Sequence, residues 1–380
     1  MLQLKWLKVS LICAISLMLC YCVAKHKDSD ELPNPEVPNT DRSALLIQIS
    51  DEIVMPGYAN FKVKLDSMTR KSDQFIASPD TNALKVFRQS WIEAYLAWQK
   101  VETFDFGPAD MFASKVFFNI YPTNSTTIND NIASGTANLE VATSFSAQGF
   151  PAIDYLINGL AGNNDSIVQL YTTATDAIAR KAYLKKLTAQ MQLKFNQLNS
   201  EWTTYRDKFV ASTGLTASSS LSLVVNGYVS HYEKYIRAGK FGIPAGALTN
   251  ITAPEKVEAF YKKDISQQLA KAALQASTDF FNGKSIKTGI EGASLKTYLE
   301  AIGAKDSKTG NGLASTINSQ YNTTNTLVDA LDSNFYKIVT TNNQQMLDVY
   351  NSLQTAVRLL KVDMTSAMSI TVTYTDNDGD

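Results

Sequence analysis

The sequence predicts an all-α fold, and three observations support that prediction. Apolar residues recur every three or four positions over several long stretches, which is the spacing of one face of an α-helix. Only 10 of the 380 residues are proline, so few of these stretches are interrupted. One segment, residues 369–374, alternates as a strand does, but it is too short to form a sheet by itself. We therefore expect a bundle of roughly eight to ten helices.

The first 40 residues predict export. Lys5 and Lys8 precede an uncharged run over residues 9–22, which has the length of a signal-peptide apolar region and is too short to span a bilayer comfortably. We assign residues 1–19 to a signal peptide. Residues 25–40 are polar, contain three prolines and lack apolar periodicity, so we expect a flexible tether over residues 20–40.

All three cysteines of the chain lie in this region, at Cys13, Cys20 and Cys22. A cysteine between an apolar run and a polar tether resembles the lipid-attachment site of bacterial lipoproteins. Leu17 lies three residues before Cys20, as in such sites, so we predict lipidation at Cys20, with Cys22 as the alternative. Plain secretion and an uncleaved membrane anchor are the competing interpretations. The body of the chain is exported in each of them.

The body of the chain, residues 41–368, predicts one helix after another. Residues 43–76 have helical spacing, but Pro56 and Gly57 must kink or break that helix. Four later helical faces are formed by Leu84, Phe87, Trp91, Tyr95, Trp98 and Val101; by Leu184, Leu187, Met191, Phe195, Leu198, Trp202, Tyr205 and Phe209; by Ile265, Leu269, Ala272, Ala276 and Phe280; and by Leu347, Tyr350, Leu353, Val357, Leu360 and Met364. Residues 369–380 are expected to form a short irregular or strand-like tail.

A weak internal repeat suggests two related halves. Residues 106–108, Phe-Gly-Pro, close one aromatic-rich helix, and residues 241–244, Phe-Gly-Ile-Pro, close another. An ancient duplication of a helical unit is one interpretation, and chance is the other, because glycine and proline are common at helix ends. We place the halves at roughly residues 41–210 and 211–368.

The composition excludes several classes of function. Beyond the tether the chain has no cysteine and one histidine, His231, which we interpret as an ordinary half-buried residue. This excludes a Cys/His zinc site, an HExxH helix, an iron–sulfur cluster and a disulfide framework. The net charge of -1 makes nucleic acid a poor candidate partner, because phosphate contacts require a basic surface.

Acids in apolar surroundings are the candidate functional groups. Glu102 and Asp105 lie a turn apart at the end of a predicted helix, where the carbonyl groups favour cations, so both acids need a partner. Asp154 is the only charged residue from Phe150 to Ile157. If that segment is buried, the acid must be hydrogen-bonded, paired or protonated. A purely structural role is the competing interpretation for all three acids.

Several motifs follow one another along residues 41–380. They are residues 91–98 (WIEAYLAW), 106–108 (FGP), 121–122 (YP), 148–159 (QGFPAIDYLING), 240–246 (KFGIPAG) and 376–380 (DNDGD). Together they resemble the imelysin family of bacterial envelope proteins, and the last two are similar to the branch found in Bacteroidetes. The resemblance implies a two-part helical fold, each part like a four-helix bundle, with a functional site at their junction.

The resemblance also bears on activity. The family was named for a proteolytic activity, and many members are associated with iron uptake. Its signature is Gly-x-His-x-x-Glu. Here Gly149 keeps its place, Pro151 replaces the histidine and Asp154 replaces the glutamate. Because proline has neither a nitrogen that can bind a metal nor a titratable group, we expect no peptidase activity.

We therefore predict an exported lipoprotein that binds a small ligand, or an envelope protein, at the junction of two helical halves. A metallopeptidase and a purely structural envelope module are the alternatives. We expect the protein to be lipid-anchored to the outer membrane of a bacterial envelope, facing the periplasm or the cell surface.

The chemistry of the predicted site is less specific. No cofactor can be named. A hard cation such as ferric iron would suit oxygen ligands, whereas no zinc site is expected. We name Asp154 and Glu102 as metal ligands. The predicted ligand-binding residues are Glu102, Phe106, Gly107, Pro108, Tyr121, Gly149, Phe150, Pro151, Asp154 and Tyr155.

Overall fold

A computed structural model describes residues 39–375. It is 71% helical and the described residues form no strand, so the predicted all-α fold is confirmed. The predicted signal peptide, Cys20, most of the tether and the closing residues 376–380 lie outside the described residues.

Sixteen α-helices make up most of the described chain. In chain order they are α1 Asn39–Ile47, α2 Met55–Ala77, α3 Thr81–Val101, α4 Pro108–Met111, α5 Ser125–Ser134, α6 Gly149–Asp154, α7 Asn164–Thr172, α8 Ala177–Ala211, α9 Ser220–His231, α10 Ile243–Ala245, α11 Ser266–Phe281, α12 Leu295–Ala301, α13 Leu313–Asp329, α14 Phe335–Thr341, α15 Gln344–Arg358 and α16 Thr365–Ala367. Four π-helical segments, Gln48–Val54, Tyr155–Gly159, Tyr232–Gly242 and Leu359–Met364, and three 3₁₀ turns, Ser114–Phe117, Ala142–Ala147 and Pro254–Lys256, lie between them.

The long helices pack in two groups. In the first group, α2 packs against α3 and α8. In the second, α11, α13, α15 and the π-helical segment Tyr232–Gly242 each pack against two of the others, as in a four-helix bundle. Helices α3 and α11 pack against each other and join the groups. The internal duplication is not confirmed, and it stays a prediction together with the boundary at residues 210–211.

Helix α3 illustrates how the sequence sets the core. It begins after Asp80, whose carboxylate accepts a hydrogen bond from the Ala83 amide at 2.7 Å and so caps the helix. All the apolar residues predicted on its inner face are buried, from Leu84 to Val101. It ends at Glu102, so the helix positions this acid at the edge of the core.

The helix predicted over residues 43–76 is interrupted just before Pro56 and Gly57 by a change of helix type. The chain passes through the π-helical segment Gln48–Val54 immediately before α2. Pro56 then lies in the first turn of α2. The helical backbone is continuous at this point, so the missing amide hydrogen leaves a carbonyl of the preceding turn without a helical partner, and the Glu52 carbonyl accepts from the Ile286 amide at 2.9 Å instead.

The C-terminal tail is irregular, because no strand lies beside it among the described residues. It is held by side chains instead. The Asn226 amide donates to the Thr371 carbonyl at 3.0 Å and accepts from the Thr373 amide at 2.7 Å. The Tyr374 hydroxyl donates to Glu233 Oε2 at 2.7 Å.

Candidate functional site

Distant parts of the sequence bring polar side chains together in the interior. We call this group the polar cluster. Its members are Tyr95 and Gln99 on α3, Glu102 at the end of α3, Asn119 after the first 3₁₀ turn, His231 at the end of α9, Lys240 on the π-helical segment and Glu258 in the loop before α11. Their side chains are buried.

Glu258 lies at the centre of the polar cluster. Its Oε1 accepts hydrogen bonds from the Tyr95 hydroxyl at 3.1 Å, Gln99 Nε2 at 2.9 Å and Asn119 Nδ2 at 2.8 Å. Lys240 Nζ donates to Oε2 and also to Gln99 Oε1, the latter at 2.7 Å. A buried ion pair is tolerated only when such additional hydrogen bonds satisfy both charges.

Glu102 and His231 form the other end of the polar cluster. Asn119 Nδ2 donates to Glu102 Oε1 at 3.1 Å, and His231 Nε2 lies 3.8 Å from Glu102 Oε2. Burial raises the pKa of Glu102, but the facing His231 and the charge of Lys240 outweigh it and bring the pKa to about 2. This acid is therefore ionised at neutral pH.

His231 is fully buried, so the half-buried position expected from the sequence is wrong. Helix α9 is almost entirely enclosed, which leaves no solvent-facing side for this residue. Burial lowers the pKa of His231, and neither ring nitrogen has a hydrogen-bond partner among residues 39–375. The imidazole is therefore neutral at pH 7.

Asp105, the second acid that needed a partner, is paired with Lys115 at 2.5 Å. The Lys115 ammonium also lies 3.5 Å from the centroid of the Tyr235 ring, within the range of a cation–π contact. Asp105 is thus neutralised by a lysine that follows it in the chain.

Asp154 lines a separate cavity of about 140 Å³. We call this space the Asp154 cavity. Its walls are formed by Tyr121, Pro122, Thr123, Pro151, Asp154, Glu255, Val257, Ala259, Phe260 and Tyr261. Three predicted binding residues, Tyr121, Pro151 and Asp154, are therefore brought together.

The Asp154 carboxylate is 1% exposed and hydrogen-bonded. Asn158 Nδ2 donates to Oδ1 at 2.9 Å, and the backbone amides of Tyr261 and Lys262 lie 3.0 and 3.4 Å from Oδ2. Burial raises the pKa of Asp154 by more than these hydrogen bonds lower it, to about 7. The carboxyl group thus ties α6 to the loop before α11 and changes protonation near neutral pH.

Tyr121 lies between the Asp154 cavity and the polar cluster. Its ring lines the cavity, and a Cβ placed on Gly239 would lie 3.2 Å from its hydroxyl. Burial, followed by the carboxylates of Glu258 and Glu102, raises the pKa of Tyr121 well above its ordinary value. Tyr121 therefore carries a neutral hydroxyl at physiological pH.

Gly149 and Phe150 support the site from outside the cavity. Gly149 has φ +74°, and a Cβ there would lie 2.2 Å from the Phe118 carbonyl oxygen, so only glycine fits. The Phe150 ring stacks on Tyr95 with 4.5 Å between centroids.

The remaining predicted binding residues also lie outside the cavity walls. Phe106 is buried with its ring 5.8 Å from Trp202, Gly107 has φ +58°, and Pro108 begins α4. The centroid of the Tyr155 ring lies 5.1 Å from the centroid of the Tyr261 ring, which lines the cavity.

The two predicted metal ligands line different cavities. Glu102 borders a space of about 10 Å³, which has room for about one water molecule, rather than the Asp154 cavity. Within residues 39–375, no group of three or more His, Cys, Asp and Glu side chains could hold a metal ion. A metal bound jointly by Glu102 and Asp154 stays a prediction.

Sequence reasoning missed most of the polar cluster. Gln99 lies four residues after Tyr95 on the apolar face of α3, which was a readable signal. Glu258 lies between Val257 and Ala259 and was a second lone acid in apolar surroundings. Nothing in the sequence indicated that Lys240 would pair with it.

The fold and the site define an all-helical protein with a buried polar cluster beside a small acid-lined cavity. The described part of the chain contains no helix long and apolar enough to cross a membrane. Residues 54–363 match the imelysin family, and the chain belongs to that family. Imelysin-like proteins are associated with the bacterial cell envelope.

Two crystal structures have the same fold. One is an imelysin-like protein from Psychrobacter arcticum 273-4, with a TM-score of 0.69, 18% identity, and coverage of 89% of this chain and 99% of that one. The other is described as an iron-regulated protein A precursor from Parabacteroides distasonis ATCC 8503, with a TM-score of 0.70, 18% identity, and coverage of 88% and 97%. No curated protein matches the chain.

Proposed function

We propose that this chain is an exported, lipid-anchored envelope protein that binds a small iron-containing ligand in the Asp154 cavity and has no peptidase activity. The observation that carries the proposal is the cavity wall itself. It combines a carboxyl group that titrates near neutral pH, Asp154, with a second carboxylate, Glu255.

The chemistry of the cavity supports a hard cation or a small complex of one. Asp154 offers carboxylate oxygens, and Glu255, which is exposed, adds a second carboxylate to the wall. Carboxylate oxygens suit hard cations. A volume of about 140 Å³ suits a hydrated ion or a small molecule and is below the range of drug-sized ligands.

The link to iron has a second, weaker support. One protein with this fold is described as iron-regulated. That description concerns the other protein, and it makes iron the first ligand to test here.

The absence of peptidase activity is supported by the position of the histidine. Pro151 lies in the cavity wall where the family signature has its metal-binding histidine. His231 is enclosed in the polar cluster and does not line the Asp154 cavity. Among the residues that the structure describes, no histidine lines the Asp154 cavity, so none can act there as a metal ligand or a general base.

The test is isothermal titration of the full chain with ferric citrate, ferrous sulfate and calcium chloride. Asp154→Asn removes the charge and keeps the size, and we expect it to weaken iron binding at least about tenfold. Asp130→Asn, at an exposed position on α5, is the matched control and should bind as the unsubstituted chain does.

Two results would contradict the proposal. The first is no iron binding by the unsubstituted chain, and the second is equal binding by Asp154→Asn and Asp130→Asn. Cleavage of an unfolded protein substrate by the purified chain that is lost in Asp154→Asn would favour the peptidase instead.

A further inference from the structure

A second and larger cavity lies on the other side of α3. It has a volume of about 560 Å³ and is formed by residues of α2, α3, α11 and the loop over residues 284–289. We call it the α2–α11 groove. It shares no residue with the Asp154 cavity, so it is a separate space.

The interior of the groove is apolar. Val63, Ala97, Ala276 and Ile286, which are half-buried or exposed, line it. Gly57 also borders it, and the Phe104 ring packs so closely there that a Cβ would lie 2.9 Å from it. A largely apolar space of this volume is within the range of small-molecule sites in proteins.

The rim of the groove is positively charged. Three lysines, Lys64, Lys100 and Lys284, line it together with one acid, Asp279. Lys284 Nζ lies 3.4 Å from Asp279, and Lys64 Nζ lies 2.9 Å from Glu93, which is outside the groove.

Lys100 differs from the other two lysines. It is exposed and has no ion pair or side-chain hydrogen bond among residues 39–375. Its place in the last turn of α3 stabilises the carbonyl end of that helix. This effect on the helix end does not explain why Lys100 borders an apolar groove.

We propose that the α2–α11 groove binds an unbranched fatty acid. The aliphatic chain would lie against Val63, Ala276 and Ile286, and the carboxylate would pair with Lys100. An apolar interior with a net positive rim is complementary to a ligand that has a long apolar body and one negative charge.

The first experiment tests the charge. The probe is dodecanoate below its micelle concentration, titrated into the full chain carrying Cys20→Ser and Cys22→Ser so that the protein has no acyl group of its own. Lys100→Glu should weaken dodecanoate binding about three- to tenfold, because an attraction becomes a repulsion at an exposed site. Binding of dodecanol should not change.

The matched control is Lys185→Glu on α8, which is exposed, has no ion pair among the described residues and does not line the groove. We expect it to bind dodecanoate as the unsubstituted chain does. Equal weakening by both substitutions would indicate a general charge effect and would overturn the role of Lys100.

The second experiment tests the apolar space. Ala276→Phe places a ring into the groove from a half-buried position on α11 and should abolish binding of both probes. Ala189→Phe, at an exposed position on α8, should leave it intact.

Three results would overturn the proposal. They are no dodecanoate binding by the unsubstituted chain, unchanged binding by Ala276→Phe, and a dimer in sedimentation that Ala276→Phe dissociates. The dimer would mean that a second copy of the chain covers the groove. Failure of iron binding at Asp154 would leave this proposal untouched, because the two sites share no residue.

Discussion

Replacing Glu258 by glutamine should destabilise the protein by about 3–5 kcal/mol at pH 7, because it leaves a buried ammonium without its counter-charge. The glutamine oxygen can still accept from Tyr95, Gln99 and Asn119. Lys240 keeps one bond, to Gln99 Oε1 at 2.7 Å, and is 2% exposed, so water cannot replace the carboxylate.

A Coulomb estimate gives the same magnitude. Unit charges about 4 Å apart attract by about 4 kcal/mol at an effective dielectric constant near 20.

The assay is urea unfolding followed by circular dichroism at pH 7. Glu255→Gln, which is exposed in the same part of the chain, is the control and should change the free energy of unfolding by less than about 0.5 kcal/mol.

A third variant separates charge from packing. Adding Lys240→Met to Glu258→Gln removes the unpaired charge and should recover a large part of the lost stability. The reasoning is refuted if the free energy of unfolding of Glu258→Gln lies within about 1 kcal/mol of that of Glu255→Gln at pH 7.

Three further predictions concern other residues. Because the folded-state pKa of Asp154 is about 7, above its unfolded value, the unsubstituted protein should lose about 3 kcal/mol of stability relative to Asp154→Asn as pH rises from 4.5 to 7.5. Urea unfolding at pH 4.5 and 7.5 measures this, and a pH-independent difference would contradict it. Gly149→Ala should destabilise by several kcal/mol more than Gly135→Ala, since both have positive φ but only Gly149 faces a close backbone oxygen; equal melting temperatures would count against the packing argument. Cys20→Ala should move the protein from the membrane to the soluble fraction, and release by Cys22→Ala instead would show that the lipid site was misassigned.

Periodicity predicted the helices well because it depends only on neighbours in the chain. The spacing from Leu84 to Val101 identified the buried face of α3, and the structure buries every residue of it. The same face contains Gln99, which periodicity treats as an exception and the structure uses as a bridge between Lys240 and Glu258.

The partners in the site could not be predicted, because they lie far apart in the sequence. Tyr95 and Glu258 are 163 positions apart and share a hydrogen bond. For Asp154 the sequence indicated that the acid, if buried, must have a hydrogen-bond or ion-pair partner or be protonated. Its partners include the backbone amides of Tyr261 and Lys262. The type of a residue does not reveal which acceptor its backbone amide binds, so the sequence could not identify these donors.

The π-helical segment Tyr232–Gly242 places a constraint on insertions and deletions. Removing one residue between His231 and Lys240 would allow this stretch to relax into an α-helix. It would also change the rotation and the rise between His231 and Lys240, and so displace Lys240 from Glu258. We therefore expect family members that keep this ion pair to keep the number of residues between these positions, even where the side chains differ.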